Sequence, residues 1–452
     1  MKLQEDFSLD ILIDLMYGIL RGSGLILFCK MPNVFDDKIP VPLDLEGIRI
    51  VRYEVDERGD YLLYAESTAT FEICHKCNRI ITYKHGLDKP ITVRHLDILG
   101  HRVFIIVCPI RFRCFWCDEN PTTTQNFPWR AGKSPYTKDF ERHILKQLIN
   151  STVEDVSKKE GIGYYSVLGI LNRCISSDIN WNEFVDIKIL GLDEIALRKG
   201  HKDFVTVVSA IDVKGQLKIM AVLAGRDEDT VSEFLRTTPE EVKVEIKSAC
   251  IDMCRAYRNS VEKELPNARV VVDRFHVAKA YRQCFDTLRK RELARLKKEL
   301  PDEKQGDIKN TMWPLRKRSG CLDDDERNSI EAFFEHSKDL REAYRFREDL
   351  TDIFDSDITV EEARKRIDNW KEDVKDAGVT CYDSFLTTLN NWEPYILNYF
   401  EGGLSSGFVE GLNNKAKVLK RRCYGLKNIV SFFKRFVLDV NWAPGLMHKA
   451  RL

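Results

Sequence analysis

No stretch of the 452-residue chain approaches the ~20 uninterrupted apolar residues that a membrane-spanning helix needs. A transmembrane protein is set aside on that ground. The ordered basic, apolar and small-residue regions of a secretory leader are missing too, because Glu5, Asp6, Asp10 and Asp14 are scattered through the apolar positions of the N-terminus. The expectation is a cytoplasmic protein. Net charge is lacking, with 71 Lys and Arg against 71 Asp and Glu, so the global balance says nothing about partners. With 43% apolar and 31% charged residues the composition is globular, which excludes a disordered chain. At roughly 150 residues per domain, the length suggests about three domains.

The distribution of charge says more than its sum. From Arg269 to Glu299 ten basic residues face four acidic ones, and from Gly411 to the end ten basic residues face Asp439 alone. Segregated positive charge on a neutral protein suits a polyanion that touches one face. A solvated helix surface is the plain alternative.

Thirteen cysteines, an odd number in a chain without an export signal, argue against a disulfide scaffold. Four of them form two tight pairs, Cys74-His-Lys-Cys77 and Cys114-Phe-Trp-Cys117, with Cys108 shortly before the second. Each C-x-x-C turn can aim two sulfurs at one ion, so the duplicated pair reads as a tetrahedral Zn²⁺ site. Between the pairs, Val93 to Leu96 and Val103 to Val107 read as β-branched strands, so that the second pair would close a hairpin onto the first, as in a zinc ribbon. Buried free cysteines or a redox pair are the alternatives; His75, His85 and Cys108 are spare candidates.

After a linker with Pro121, Pro128 and Pro135 the pattern turns helical. Phe140, Ile144, Leu148 and Ile149 follow a 3.6-residue period, and Thr152 can cap a short helix bearing Val153 and Val156. Gly161 ends that helix and Tyr164 to Arg173 forms another. The arrangement fits a helix-turn-helix whose second helix would enter a DNA major groove. A plain helical hairpin fits as well, because that second helix is poor in Lys and Arg.

From Asp186 strands take over. Ile187 to Leu192 runs into Asp193-Glu194; Phe204 to Ile211 and Gln216 to Leu223 read as a hairpin turning at Lys214-Gly215; a helix spans Asp229 to Leu235. Ile246 to Ile251 is a fourth strand ending at Asp252, Tyr257 to Leu265 a helix, Ala268 to Val272 a fifth strand, and a long basic helix begins near His276. That order describes a mixed sheet covered by helices. Asp193 and Asp252 then stand at the C-terminal ends of two buried strands, the edge where open α/β sheets place ligands. Carboxylates gathered there raise one another's pKa or recruit divalent cations. Taken singly, each also reads as an ordinary strand-end turn residue.

These residues carry a resemblance. Leu190-Gly-Leu-Asp193-Glu194 with Leu197-Arg-Lys-Gly-His201, Ile251-Asp252-Met253 with Tyr257, Pro266-Asn-Ala268, and Val272-Asp273-Arg274-Phe275-His276 resemble the ISL-three family of bacterial insertion-sequence transposases. So do Ser406-Gly-Phe-Val-Glu410-Gly-Leu-Asn413-Asn-Lys415, then Lys417, Lys420-Arg421-Arg422 and Tyr424-Gly425, and, near the second cysteine pair, Arg111-Phe-Arg-Cys114 with Pro121-Thr-Thr. Cys254 and Cys423 depart from the residue types expected inside those motifs. The likeness covers about residues 70 to 440.

The resemblance implies a multidomain α/β protein with an RNase H-like catalytic core and a DDE triad of Asp193, Asp252 and Glu410. It implies the following layout: 1–60 of unassigned role, 61–125 zinc-binding, 126–182 helix-turn-helix, 183–287 the first part of the core, 288–400 a helical insertion, and 401–452 the last core helices with the basic C-terminus. Trp313, Trp370 and Trp392 are expected as packing anchors of the insertion. By periodicity and macrodipole alone Glu410 would be a first-turn acid of a helix; the resemblance assigns it to the triad. Asp273 is a rival third carboxylate, kept with His276 as a secondary candidate, and Glu194 is a lesser rival that would face the other side of a continuing strand.

The implied reaction is phosphoryl transfer with Mg²⁺ or Mn²⁺: water cuts at the element's ends, then the freed 3′-hydroxyl attacks target DNA. Lys415, Lys417, Lys420, Arg421, Arg422 and Arg274 are expected to contact double-stranded DNA phosphates, with Tyr164 and Arg173 of the helix-turn-helix. Two element ends must be synapsed, so a homodimer associated with the nucleoid is expected, and no membrane. A sequence-specific DNA-binding regulator, or a structure-specific nuclease of the same fold, is the alternative function.

Overall fold

The computed structural model describes residues 43, 45–197, 204–301, 308, 311–401, 407–424, 426 and 428–441, with the backbone alone at 407, 409 and 410. Residues 1–42, the Arg198 to His201 stretch of the motif, Ser405, Ser406, Gly425 and the residues beyond 441 lie outside the described residues. The chain divides into two units, Met1–Pro135 and Tyr136–Leu452.

In the first unit, β1 (Ile48–Val55) and β2 (Tyr61–Ser67) form an antiparallel hairpin. Its turn is made by Asp56, whose carboxylate accepts the backbone N–H groups of Arg58 and Asp60, with Gly59 at φ 84°. The border expected at residue 60 falls in this turn. Next come β3 (Glu72–Ile73), β4 (Ile80–Ile81), β5 (Lys84–Leu87), β6 (Ile91–Ile98), β7 (His101–Val107), β8 (Ile110–Arg113) and β9 (Thr122–Thr124). The strands read at Val93 and Val103 exist, as β6 and β7, but they do not carry the cysteines. They belong to a four-stranded sheet of order β1-β2-β7-β6, because Val93, Ile105 and Val107 alternate onto a core of their own with Leu45, Phe127 and Trp129. The cysteine turns instead join β3 to β4 and β8 to β9.

The second unit opens with α1 (Lys138–Leu148), α2 (Val153–Glu160) and α3 (Tyr164–Cys174). Thr137 and Thr152 cap the first two by accepting the N–H of Phe140 and Asp155, and Gly161 stops α2 at φ 61°. Phe140, Ile144, Leu148, Val156, Val167 and Ile170 close a small core of their own, joined by Leu438.

The main sheet contains β10 (Ile187–Ala196), β11 (Phe204–Asp212), β12 (Leu217–Leu223), β13 (Ser248–Ile251) and β14 (Arg269–Val272), in the order β12-β11-β10-β13-β14. The first three strands pair antiparallel, while β10-β13 and β13-β14 are parallel. The helices that follow are α4 (Glu228–Arg236), α5 (Glu240–Glu245), α6 (Arg255–Glu264), α7 (Arg274–Glu299), α8 (Asp324–His336), α9 (Lys338–Asp355), α10 (Val360–Asp376), α11 (Asp383–Leu397), α12 (Gly407–Arg422) and α13 (Ile429–Asn441). None of the helices among the described residues is long and apolar enough to cross a membrane.

Period-2 alternation assigns the two faces of the sheet. Leu190, Leu192, Val208 and Ala210 enter a large core with α4, α6, α7 and the helices of the insertion. Ile195, Val205, Val207 and Ile219 pack the other way, onto Leu412, Ala416, Leu419, Phe432 and Phe436 of α12 and α13. The insertion therefore shares its core with the sheet. The border expected at 287/288 cuts α7, which runs unbroken from Arg274 to Glu299. Trp370 and Trp392 are buried as expected, but Trp313 is 65% exposed, with the Arg316 guanidinium over its ring.

Two groups of interactions stabilise the second unit. Glu292 of α7 accepts from Arg295 and from Ser337, the residue capping α9. Burial works against its ionised form, but these partners hold its carboxyl below the ordinary range, as their counterparts do for Asp286 and Glu348. A carboxylate depressed in the folded state contributes stability that is present above its unfolded value near ~4.5 and is lost as pH falls through the folded value. Denaturant midpoints should therefore fall progressively below about pH 4.5, and less so in Glu292→Gln.

Arg435, 2% exposed, donates to Leu148 O at 2.8 Å and Ser151 O at 2.7 Å and faces Asp439 at 3.9 Å, so α13 holds the turn between α1 and α2. Breaking one side of a buried pair costs about 3–5 kcal/mol. Arg435→Ala should lose about that much in urea unfolding, and Arg435→Met distinctly less.

Candidate functional site

Asp193 does not end its strand as expected. The parallel ladder from β10 to β13 stops at Leu192, whereas the antiparallel ladder to β11 continues to Ala196, so Asp193 lies just past the parallel pairing and still inside β10. Parity sends its side chain to the α12 face and Glu194 to the opposite one, where Glu194 accepts from Arg226 at 2.6 Å. Asp252 follows β13 directly, in the adjacent strand, as expected.

The third group brought to this point is His276, in the first turn of α7. Its Nδ1 lies 3.3 Å from Asp252 Oδ1 and its Nε2 3.7 Å from Asp193 Oδ2. Ligand atoms of Asp193, Asp252 and His276 all fall within 4.8 Å of one another, an arrangement that can hold a metal ion. Asp273 caps α7 by accepting the Phe275 N–H at 2.7 Å, with its other oxygen 4.0 Å from His276 Nε2, so it braces the cluster from behind. Burial pushes the Asp252 carboxyl up despite His276, with the charges of Asp193 and Glu194 adding to the rise. For His276 burial acts downward, but the facing carboxylates of Asp193, Asp252 and Asp273 outweigh it and raise its pKa. A cavity of about 580 Å³ opens beside Asp252, lined by Glu194, Arg226, Asp227, Met253 and Cys254 among others.

From the other face of the sheet, Asn413 of α12 donates its Nδ2 to Asp193 Oδ2. Its own Oδ1 is buried without a donor among the described residues. An amide oxygen on a side chain bonded to the Asp193 carboxylate is of the donor type that suits a hard divalent cation. The sequence offered Asn413 only as part of a motif; its signal was a spacing of three from Glu410, which puts two helical residues on one face. Glu410 itself lies on α12, and its side chain is outside the described residues.

In the first unit the four cysteines converge. Cys74 and Cys117 sulfurs are 3.9 Å apart, Cys77 and Cys114 3.7 Å, and Cys114 and Cys117 3.7 Å. A tetrahedral ion with metal–sulfur bonds of about 2.3 Å sets its sulfurs roughly 3.8 Å apart, so the cluster has the size such an ion requires. Backbone N–H groups of Cys77 and Lys76 pull the Cys74 thiol well below its usual range, while the neighbouring sulfurs, Cys77 first, push Cys117 up. His75 bonds Thr123 and His85 faces Arg113, and neither they nor Cys108 join the sulfurs.

The basic residues expected at DNA divide in two. Lys417 and Arg421 are exposed. Lys415 donates to Asp439 O, Lys420 to Ala196 O, and Arg422 pairs with Asp439 at 3.2 Å, so these three bind α12 to the rest of its own unit. Arg274 pairs with Asp355 and ties α7 to α9. Arg173 bonds buried Glu141 at 2.6 Å, whereas Tyr164 remains 43% exposed beside Tyr165. Charge along the sequence could not tell these internal uses from a free basic face.

A family profile described as transposase, of the ISL3 DDE type, matches residues 190–436. The transposase for insertion sequence element IS1001 of Bordetella parapertussis is 26% identical over 389 residues, 86% of this chain and 93% of that protein. The transposase for IS1557 of Mycobacterium tuberculosis is 21% identical over 405 residues, covering 84% and 89%. Among solved structures, the Drosophila P element transposase strand transfer complex aligns over 70% of this chain and 94% of its own at 11% identity, with a TM-score of 0.37, too low to carry a fold argument.

Proposed function

The chain belongs to the ISL3 family of DDE transposases, a DNA-cleaving and strand-transferring enzyme, and from that premise we propose that Asp193, Asp252 and Glu410 are its catalytic triad. The observation that carries this reading is the approach of Asp193 and Asp252 to each other around His276, with Asn413, one helical turn from Glu410, bonded to Asp193. The sheet order, three antiparallel strands followed by two parallel ones, supports an RNase H-like core.

Divalent ions, which we take to be Mg²⁺ or Mn²⁺, supply Lewis-acid activation of the attacking oxygen and charge stabilisation at the leaving one. Asp193 and Asp252 hold the ions with Glu410. Asn413 and the Glu194 N–H fix the two Asp193 oxygens, Asn413 on Oδ2, which faces His276, and the N–H on Oδ1 at 2.6 Å, so the carboxylate is held in orientation for a cation. His276, its proton retained by the surrounding carboxylates, offsets their mutual repulsion in the metal-free protein. Lys417 and Arg421 stand on the same helix as Glu410, exposed and available to DNA phosphates.

The four cysteines bind one Zn²⁺, and the zinc-bearing unit together with α1 to α3 recognises the terminal inverted repeats, with α3 presenting Tyr164 to DNA. Two copies synapse two element ends in the cytoplasm, at the nucleoid. The test is to incubate the protein with Mg²⁺, DNA carrying an element end and a target plasmid. Covalently joined end and target are expected. Cleavage without joining would indicate a nuclease, and binding alone a regulator.

A further inference from the structure

Beside the catalytic cluster runs a second feature that the reaction has not used. The face of α7 that begins at Phe275, next to His276, continues through Lys279, Arg282, Asp286 and Lys290, and Arg316 of the insertion closes over it to enclose a cavity of about 440 Å³. Lys279 and Arg282 are exposed and have no carboxylate partner among the described residues. Asp286, the one acid in the lining, is already shared by Arg289 at 2.8 Å, Lys290 at 2.9 Å and Arg316 at 3.4 Å. A solvated helix face ordinarily alternates its signs so that each cation has an acid three or four residues away. Here Arg282 has Asp286 four residues on, yet that acid is turned to the other three cations.

We propose that this groove holds the phosphate backbone of the DNA flanking the reacting phosphodiester. From Phe275 to Lys290 the helix rises about 22 Å, enough to follow about six steps of a duplex lying along it at ~3.4 Å each. Its near end adjoins His276, so a strand bound there leads to the catalytic carboxylates. The attraction is electrostatic and sequence-independent, which leaves recognition of the element's ends to other parts of the chain. This rests on the DNA-transposition reading and adds to it a surface that neither the basic C-terminus nor the helix-turn-helix provides.

The experiment measures binding of a duplex of about 30 base pairs and arbitrary sequence by fluorescence anisotropy between about 50 and 200 mM salt. Removing one cation that neutralises a phosphate should reduce the slope of log affinity against log salt by about 0.9, so the double variant Lys279→Ala/Arg282→Ala should show a slope smaller by about 1.8. Lys365→Ala, an exposed lysine on α10 outside the groove, should leave the slope unchanged. Both groove side chains are exposed, and an unaltered unfolding temperature verifies the double variant. Wild-type binding with an equal slope in the double variant would overturn the groove alone. Failure of the wild-type protein to bind any duplex would overturn the DNA reading on which it stands.

Discussion

Asp252→Asn should reduce strand transfer by at least about 10³-fold while leaving DNA binding within a factor of about two. An ion that stabilises developing charge is worth several kcal/mol, and about 4 kcal/mol corresponds to that factor. The substitution keeps shape and removes charge, so the grip on the cation is what disappears. Folding should not suffer. The Asp252 carboxyl is raised by burial and by the Asp193 and Glu194 charges, so a neutral side chain relieves an electrostatic cost in the metal-free protein. Asp193→Asn should be as inactive, with one difference: it disturbs the bond from Asn413 as well, so the seating of α12 is altered together with the chemistry. Joined products on a gel measure the first effect, and anisotropy with labelled DNA the second. An Asp252→Asn enzyme with wild-type strand transfer would remove the carboxylate mechanism.

Removing metal from the cysteine cluster should unfold the sheet region around it and leave the second unit folded. Beyond the four sulfurs, the local core there consists of little more than Ile81, Ile110 and Phe112, far too small to hold strands of two to four residues. Binding of a structural Zn²⁺ is worth about 10–16 kcal/mol in small zinc domains, and in such domains that energy is folding energy. Cys114→Ser, or a strong chelator, should therefore make the segments of β3 to β5 and of β8 and β9 sensitive to protease while β6 and β7, packed on a core of their own, stay protected, with DNA cleavage of nonspecific substrates less affected than recognition of element ends. Metal analysis should return one zinc per chain in the wild-type protein and none in the variant. Protection of the region unchanged by chelation would contradict a structural ion.

Much of this was legible in the sequence because it rests on local periodicity. The five strands of the main sheet, the Lys214-Gly215 turn, the caps Thr152 and Gly161, and the two C-x-x-C turns each follow from residues within a few positions of one another. What went astray depended on pairing. Nothing near Asp193 announces that β11 accompanies β10 four residues beyond the end of β13, and nothing between the cysteine pairs announces that β7 pairs with β2 rather than serving the metal site. Trp313 was expected inside because aromatic residues usually are, but a side chain's burial depends on which element covers it. The uses of Lys415, Lys420 and Arg422 were hidden for the same reason, since their acceptors lie 24, 224 and 17 residues away. Of the candidate site, the two aspartates that meet around His276 were read from the strands that carry them, and Glu410 was assigned by motif likeness alone. The link through Asn413 needed three dimensions.

The account stands most directly on where divalent ions sit. Anomalous scattering from crystals of the protein soaked in Mn²⁺ should give density within about 2.2 Å of carboxylate oxygens from Asp193 and Asp252, with Glu410 completing the shell. Manganese bound elsewhere, or bound at the two aspartates with Glu410 turned away from it in DNA-bound crystals as well as free ones, would contradict the triad.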